Sequence, residues 1–163
     1  LVRGGYWSAL LGIAALGGCA SAYEPGPTLV GYAPILDRSG APVGTARLMV
    51  DAGRVTVSYA AQGFAPGGVH GLHLHANGNC NAADFGSAGG HLNPGGAEHG
   101  TLNPRGAHLG DLPNLAVGAD GAGMVSAALP GDADAVLGHI FDADGTALVV
   151  HAGADDYRTD PAG

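Results

Sequence analysis

Three of the eight histidines of this 163-residue chain fall within six residues, in the run HGLHLH from His70 to His75. Apolar and polar residues alternate here and turn residues flank the run, which predicts a strand. Successive side chains of a strand point to opposite faces, so His73 and His75 share one face while Leu72 and Leu74 pack on the other. Two imidazoles on one face of a rigid strand form half of a metal site. The alternative is a pair of half-exposed polar side chains on an amphipathic strand.

A long segment, Ala76–Asn114, follows this strand and exceeds the length of an ordinary connection, which indicates a functional loop. Within it lie four residues of metal-ligand type: His91, His99, His108 and Asp111. Their spacings of eight, nine and three residues fit no strand or helix face, so they converge only if the loop wraps around an ion. Three imidazoles and one carboxylate match a closed tetrahedral zinc site, which would offset the entropy cost of ordering a glycine-rich loop. The alternative is a solvated loop with scattered histidines.

The composition predicts one loop-rich β domain. The chain has 31 glycines and 10 prolines, but 46% of its residues are hydrophobic and only 12% are charged, so it can bury a core. Its net charge is −8 and it contains no lysine, which argues against nucleic acid or an acidic membrane surface as a partner. A small anionic substrate would have to be attracted by a local field.

Residues 1–19 have the pattern of an export signal. Arg3 is the only early charge, the apolar run Ala9–Leu16 is too short to cross a bilayer as a mature helix, and Leu16-Gly17-Gly18-Cys19 follows. This ending resembles a bacterial lipobox, in which Cys19 would be lipidated and become the mature N-terminus. The alternative is an ordinary cleaved signal with an incidental cysteine. Both interpretations predict an extracytoplasmic protein, in the periplasm or cell envelope, whose only membrane contact is a possible N-terminal lipid.

Residues 20–27 are expected to form a short tether, and residues 28–163 the folded domain. Short apolar or alternating runs separated by turn residues predict strands throughout this domain, and no window has a convincing helical stripe. The hairpin loop Asp51-Ala52-Gly53 joins two of these runs. Short strands at this spacing predict an all-β sandwich or barrel. Besides the histidine strand, the predicted strands are Thr28–Leu36, Val43–Val50, Arg54–Ala60, Leu115–Val117, Met124–Leu129 and Ala147–His151.

Four motifs give the chain a family resemblance. They are His70–His75, Ala88–Pro94 (AGGHLNP), His108–Leu112 (HLGDL) and Val149–Asp156 (VVHAGADD). Their order and spacing resemble those of copper–zinc superoxide dismutases, especially the exported bacterial branch, from about residue 28 to the end of the chain. The resemblance implies a Greek-key β-sandwich or barrel that converts superoxide to oxygen and hydrogen peroxide.

The same resemblance implies a role for each motif residue. The copper ligands would be His73, His75, His91 and His151. The zinc ligands would be His91, His99, His108 and Asp111, so that His91 is shared by both metals. Asp155 would bridge the free ring nitrogens of a copper-bound and a zinc-bound histidine, and His70 would be a structural histidine that ties loops together. His139 matches no ligand position and is expected to be a surface or internally satisfied histidine.

The chain also departs from the family pattern. The family normally continues past Pro161-Ala162-Gly163 into a final strand that carries an arginine at the copper site and the second cysteine of a disulfide. Cys80 stands where the first of these cysteines belongs, and Arg158 lies seven positions after His151, in a loop, so it is not assigned the anion-guiding role. The sequence is therefore expected to lack the last strand through truncation. An end at this point in the natural protein would instead imply an open sheet edge, a free thiol and weakened anion capture.

Two functions fit these observations. The first is superoxide dismutation, favoured by the full ligand set and by Asp155. The second is an extracytoplasmic copper- and zinc-binding protein of the same fold with little or no turnover, favoured by the missing arginine.

Overall fold

A computed structural model describes residues 26–81 and 84–160. In these ranges the chain forms eight strands, one short 3₁₀ turn at Gly86–Ala88 and one α-helix. The strands are β1 Thr28–Leu36, β2 Pro42–Asp51, β3 Arg54–Ala61, β4 Val69–His70, β5 Leu72–His75, β6 Leu115–Ala116, β7 Gly123–Ala128 and β8 Ala147–Val150, and helix α1 is Ala133–Ile140. The predicted export signal and most of the tether lie outside the described residues.

The largest sheet is antiparallel and has the strand order β1-β2-β3-β7. β2 and β3 form the predicted hairpin, whose turn residues Ala52 and Gly53 both have positive φ. Two smaller antiparallel pairs, β4 with β6 and β5 with β8, complete the fold. Since β3 pairs with β7 and β5 with β8, the chain crosses between sheets, and the prediction of an all-β fold is confirmed.

The core lies between the sheets and explains why the strands pack as they do. Val55, Val57 and Tyr59 of β3 are 0%, 3% and 0% exposed, which confirms the period-two pattern read from the sequence. Leu72 and Leu74 of β5 join the same core from the face opposite to the histidine rings. β5 is therefore buried on both faces and gives its histidines a rigid base.

Helix α1 was not expected from the sequence. Asp132 caps its N-terminus by accepting a hydrogen bond from the backbone N–H of Asp134 at 3.0 Å. Only Ala133, Val136 and Ile140 are buried, so the apolar stripe is too short to stand out as a helical pattern. The described ranges contain no helix with the length and apolar character needed to cross a bilayer.

Among the open strand edges in the described part of the chain are those of β1 and β8. β1 is hydrogen-bonded only to β2, and β8 only to β5. A groove lined by Pro34, Leu36, Leu148 and Val150 separates the two edges. The described strands therefore do not close into a continuous barrel.

Candidate metal centre

The fold brings all seven predicted ligand residues together at one end of β5. Two groups have donor atoms that all lie within 4.8 Å of one another: His73, His75, His91 and His151 in one, and His73, His91, His99 and Asp111 in the other. His108 lies beside the second group: its Nδ1 atom is 3.2 Å from Nδ1 of His91 and 3.2 Å from Oδ1 of Asp111. His73 and His91 are common to both groups.

Strands β5 and β8 position the first group. His73 and His75 are 0% and 8% exposed on β5, and His151 directly follows the end of β8, which pairs with β5 in antiparallel register. A hydrogen bond of 2.9 Å from the backbone N–H of His151 to the carbonyl of Gly71 fixes this junction. As a result, Nε2 of His75 and Nε2 of His151 lie 3.3 Å apart.

The long loop is attached to the other edge of β5. The backbone N–H of Leu74 donates to the carbonyl of Gly110 at 2.9 Å, and the N–H of Leu92 donates to the carbonyl of Leu74 at 2.7 Å. Two isolated bridges, His73 with Asp111 and His75 with His91, continue this pairing. The loop thus adds to the sheet like an irregular strand, which brings its ligand-type side chains beside those of β5.

Asp111 is the centre of the second group. Its Oδ1 atom lies 3.1 Å from Nδ1 of His91, 3.1 Å from Nδ1 of His99 and 3.2 Å from Nδ1 of His108. Its Oδ2 atom accepts backbone N–H groups of Gly100 and His108 at 2.9 and 3.0 Å. Ligand atoms of a regular tetrahedral zinc site with bonds of about 2.0 Å are separated by about 3.3 Å, so the spacing of these four donors fits a zinc ion.

Asp155 links the two groups. Its side chain is buried, with Oδ2 2.9 Å from Nε2 of His73 and Oδ1 3.0 Å from Nε2 of His99. The other nitrogen of His73, Nδ1, is buried and has no hydrogen-bond partner among the described residues. A buried imidazole with one nitrogen held by a carboxylate and the other unpartnered has the arrangement of a metal ligand. The donor set therefore fits metal ions.

Burial keeps the rings of His73, His75 and His151 neutral by lowering their pKa values. It lowers the pKa of His73 and of His151 to about 4, and it also lowers the pKa of His75. Burial alone would raise the pKa of Asp111, but hydrogen bonds from His91 and from the backbone of Gly100 and His108 bring it below its usual range. At neutral pH these three histidines thus offer free lone pairs and Asp111 offers a carboxylate, the forms that bind metal.

The metal-free protein is expected to lose stability as the pH falls from about 6.5 to about 4, because the unfolded chain then binds more protons than the folded one at His73 and His151. His99 acts in the opposite direction. Burial would lower its pKa, but Asp155 and Asp111 raise it, so its contribution is present at low pH and lost as the pH rises. Thermal unfolding of the chelated protein across this range measures the balance, and a midpoint that rises on acidification would contradict the prediction.

The remaining predicted residues lie outside the donor groups. His70 directs Nδ1 at the carbonyl oxygen of His151, 2.9 Å away, and stacks in a tilted geometry against Phe64. His139 is exposed on α1. Cys80 is an exposed free thiol among the described residues. Cys19 lies outside the described residues.

One residue of the site was missed in the sequence. Asn114, at the end of the long loop, hydrogen-bonds with its side chain to the backbone of Asp155. The two residues are 41 positions apart, so no local pattern connects them.

Comparison with known proteins agrees with this geometry. Residues 43–163 match the family described as copper/zinc superoxide dismutase. Superoxide dismutase [Cu-Zn] 2 of Aquifex aeolicus is 37% identical over 141 residues, which cover 83% of this chain and 80% of that protein. The superoxide dismutase-like protein YojM of Bacillus subtilis is 38% identical over 136 residues, which cover 81% of this chain and 69% of that protein.

Solved structures give the same result. A SOD-like protein from Bacillus subtilis has a TM-score of 0.72 at 38% identity, covering 83% of this chain and 92% of that one. The Cu/Zn superoxide dismutase from Brucella abortus has a TM-score of 0.57 at 30% identity, covering 83% of this chain and 90% of that one. The family predicted from the four histidine-containing motifs is therefore confirmed: the chain belongs to the copper/zinc superoxide dismutases, a family of copper- and zinc-binding oxidoreductases.

Proposed function

We propose that this protein disproportionates superoxide to oxygen and hydrogen peroxide at a copper site joined to a zinc site by His91. The observation that carries the proposal is that His91 belongs to both donor groups with its Nδ1 atom 3.1 Å from Oδ1 of Asp111. The other ring common to both groups, His73, has its Nε2 atom held by Asp155, which also hydrogen-bonds to His99. A protein that only stores metal has no need for a shared ring or for a carboxylate that couples the two sites.

The donor types support a separate metal for each group. His73, His75, His91 and His151 would hold copper, because a set of imidazoles alone suits Cu²⁺. The zinc site would consist of three imidazoles and one carboxylate, His91, His99, His108 and Asp111. His91 would give one ring nitrogen to each metal, with Nδ1 on the side of Asp111.

When bound, copper would supply one-electron redox chemistry and zinc a fixed positive charge that sets the acidity of the shared ring. The protein would supply protons for the reaction and help to shape the local electric field that attracts superoxide. The His91 side chain is 9% exposed, so the ring nitrogen that does not face Asp111 could take up a proton from water when copper does not hold it, and could pass that proton to the reduced product. The carbonyl oxygen of Gly89 lies 2.7 Å from Nδ1 of His75 and fixes the orientation of this ring. The Nε2 atom of His75 therefore remains directed at the other donors of the first group, which would hold copper.

The positive charge of the two metal ions would outweigh the effect of the negative net charge of the chain on an approaching anion. Two divalent cations would outweigh the negative charges of Asp111, Asp155 and a deprotonated His91. The centre would then attract superoxide even though the chain as a whole carries a net charge of −8.

The protein loaded with copper and zinc is expected to remove superoxide far faster than the same protein loaded with zinc alone. Metal analysis of each preparation, followed by stopped-flow measurement of superoxide decay, tests this. Decay in the copper-loaded protein at the rate of the copper-free control would contradict the proposal.

The second candidate is a copper- and zinc-binding protein with little turnover. It is supported by the similarity to a Bacillus subtilis protein named superoxide dismutase-like. The same experiment separates the two functions, because this candidate requires both metals to bind tightly without any gain in superoxide decay over the control.

We also propose that the protein acts outside the cytoplasm, in the periplasm or cell envelope, and is anchored through lipid on Cys19. The support is the short apolar run Ala9–Leu16 followed by Leu-Gly-Gly-Cys. The mass of the mature N-terminal peptide from an envelope fraction is expected to correspond to a lipidated cysteine. A mature protein that begins elsewhere, or an unmodified Cys19, would contradict the anchor.

A further inference from the structure

Asn114 holds the backbone of Asp155 from both sides. Its Oδ1 atom accepts the backbone N–H of Asp155 at 2.9 Å, and its Nδ2 atom donates to the carbonyl oxygen of Asp155 at 2.8 Å. The backbone N–H of Asn114 itself donates to the hydroxyl oxygen of Tyr157 at 2.9 Å. Asn114 therefore fastens the end of the long loop to the segment that follows β8.

The segment 151–160 contains no helix or strand that could hold Asp155 in place. Besides Asn114, the segment is held by a hydrogen bond of 2.7 Å from the backbone N–H of Gly71 to the carbonyl oxygen of Gly153 and by one of 2.7 Å from the backbone N–H of Tyr157 to Oδ1 of Asp155. The carbonyl oxygen of Tyr157 accepts the N–H of Leu102 at 3.1 Å, which adds one contact with the long loop. Among the described residues, two hydrogen bonds reach the backbone of Asp155 from another part of the chain, and both come from the Asn114 side chain.

We propose that Asn114 is a positioning residue that sets the affinity and geometry of the metal centre through Asp155. The inference rests on the proposed ligand set, in which His73 binds copper and His99 binds zinc. Asp155 must keep one oxygen near each of their Nε2 atoms, at 2.9 and 3.0 Å. A carboxylate that bridges two nitrogens tolerates little displacement, because hydrogen bonds weaken steeply with distance and angle. Loss of the Asn114 side chain would free the backbone that carries this carboxylate.

The loop offers a matched control. Asn93 makes the same pair of side-chain bonds to one backbone, donating to the carbonyl oxygen of Ala97 at 2.8 Å and accepting its N–H at 3.0 Å. Like Asn114 it is partly buried, but its side-chain bonds do not involve Asp155. Asn93→Ala therefore removes an equal set of hydrogen bonds without touching the bridging carboxylate.

The test compares Asn114→Ala, Asn114→Asp and Asn93→Ala in the full chain. Zinc affinity is measured by competition with a chelator, and the site geometry by the visible d–d bands of Co²⁺ substituted for zinc. Asn114→Ala is expected to weaken zinc binding by roughly 10- to 100-fold and to shift the Co²⁺ bands, whereas Asn93→Ala changes the affinity by less than about threefold. Asn114→Asp, which keeps the shape and the acceptor but loses the donor, is expected to lie between the two and serves as the readout if the alanine variant does not fold.

Equal zinc affinity and identical Co²⁺ spectra in the parent and in either folded Asn114 variant would overturn the inference. A loss of zinc affinity in Asn93→Ala as large as that in Asn114→Ala would also overturn it, since general loosening of the loop would then explain both. These outcomes leave the proposed function intact when the parent binds both metals and removes superoxide. A parent that binds neither metal would overturn both proposals.

Discussion

Replacing His91 with alanine is expected to abolish the paired metal site and superoxide turnover together. His91 contributes a donor to both groups, and its Nδ1 atom lies within 3.2 Å of both His108 and Asp111. Removal of a residue that hydrogen-bonds to a metal ligand typically costs about 10- to 100-fold in metal affinity. Loss of a shared ligand itself is therefore expected to weaken zinc binding by more than about 100-fold. Copper would retain three donors, His73, His75 and His151, and is expected to bind more weakly and without its link to zinc.

Metal content after dialysis and superoxide decay measure both effects. His139→Ala is the matched control, because it makes the same change at an exposed histidine on α1, away from both donor groups. The control is expected to keep parental metal content and rate. A His91→Ala protein that still holds zinc and removes superoxide at the parental rate would refute the shared-ligand assignment.

Replacing Gly110 with alanine is expected to give a large loss of stability, because this glycine lies where the long loop pairs with β5. A Cβ atom at this position would lie 2.3 Å from the carbonyl oxygen of Leu74 and 3.1 Å from the backbone nitrogen of Leu92. Both are backbone atoms of the pairing between the loop and β5, so neither can move aside alone. Overpacking costs typically 1–3 kcal/mol and occasionally more, and we expect about 3 kcal/mol here. Since Asp111 is the next residue, zinc binding is expected to weaken as well.

Urea unfolding of the metal-free protein measures this loss. Gly95→Ala is the control in the same loop, because a Cβ atom there meets nothing within 4 Å and its φ is not in the positive region. Alanine at a compatible glycine position is expected to be neutral or to stabilise by a few tenths of a kcal/mol. Equal unfolding midpoints for the two variants would show that the loop is not packed against β5 as described.

Most strands were predictable because they have a local signature, but the run His70–His75, predicted as one strand, is divided at Gly71 into β4 and β5, which belong to different sheets. The alternation of Val55, Val57 and Tyr59 with polar residues marks β3, and the turn after Asp51 marks its hairpin with β2. The convergence of the loop histidines was predictable from their number and type. The way in which the loop brings these histidines together was not predictable, because the loop is attached to β5 through the backbone groups of Leu74, Leu92 and Gly110. Hydrogen bonds between backbone groups leave little trace in the side-chain pattern.

Two features of the structure had no readable signal. Helix α1 buries only three small or medium apolar residues, so its apolar stripe is too short for the period of a helix to be recognised in the sequence. Asn114 could not be singled out, because its role depends on Asp155, which is far away in the sequence and close only after folding. The ligand-type residues were visible from the sequence because of their chemistry, whereas the residues that hold them in place were not.

In the described part of the chain β1 pairs only with β2 and β8 only with β5, and these unpaired edges connect the net charge with the behaviour of this part of the chain at high concentration. Unpaired strand edges are templates for strands of other molecules, and proteins usually protect them with charged side chains or proline. β1 has Pro34 but no charged residue, and β8 has neither. Mutual repulsion between copies that each carry a net charge of −8 is a force that opposes edge-to-edge stacking of these strands. The negative net charge that works against capture of an anionic substrate thus also keeps copies of the chain apart in solution. This effect weakens as salt screens the repulsion.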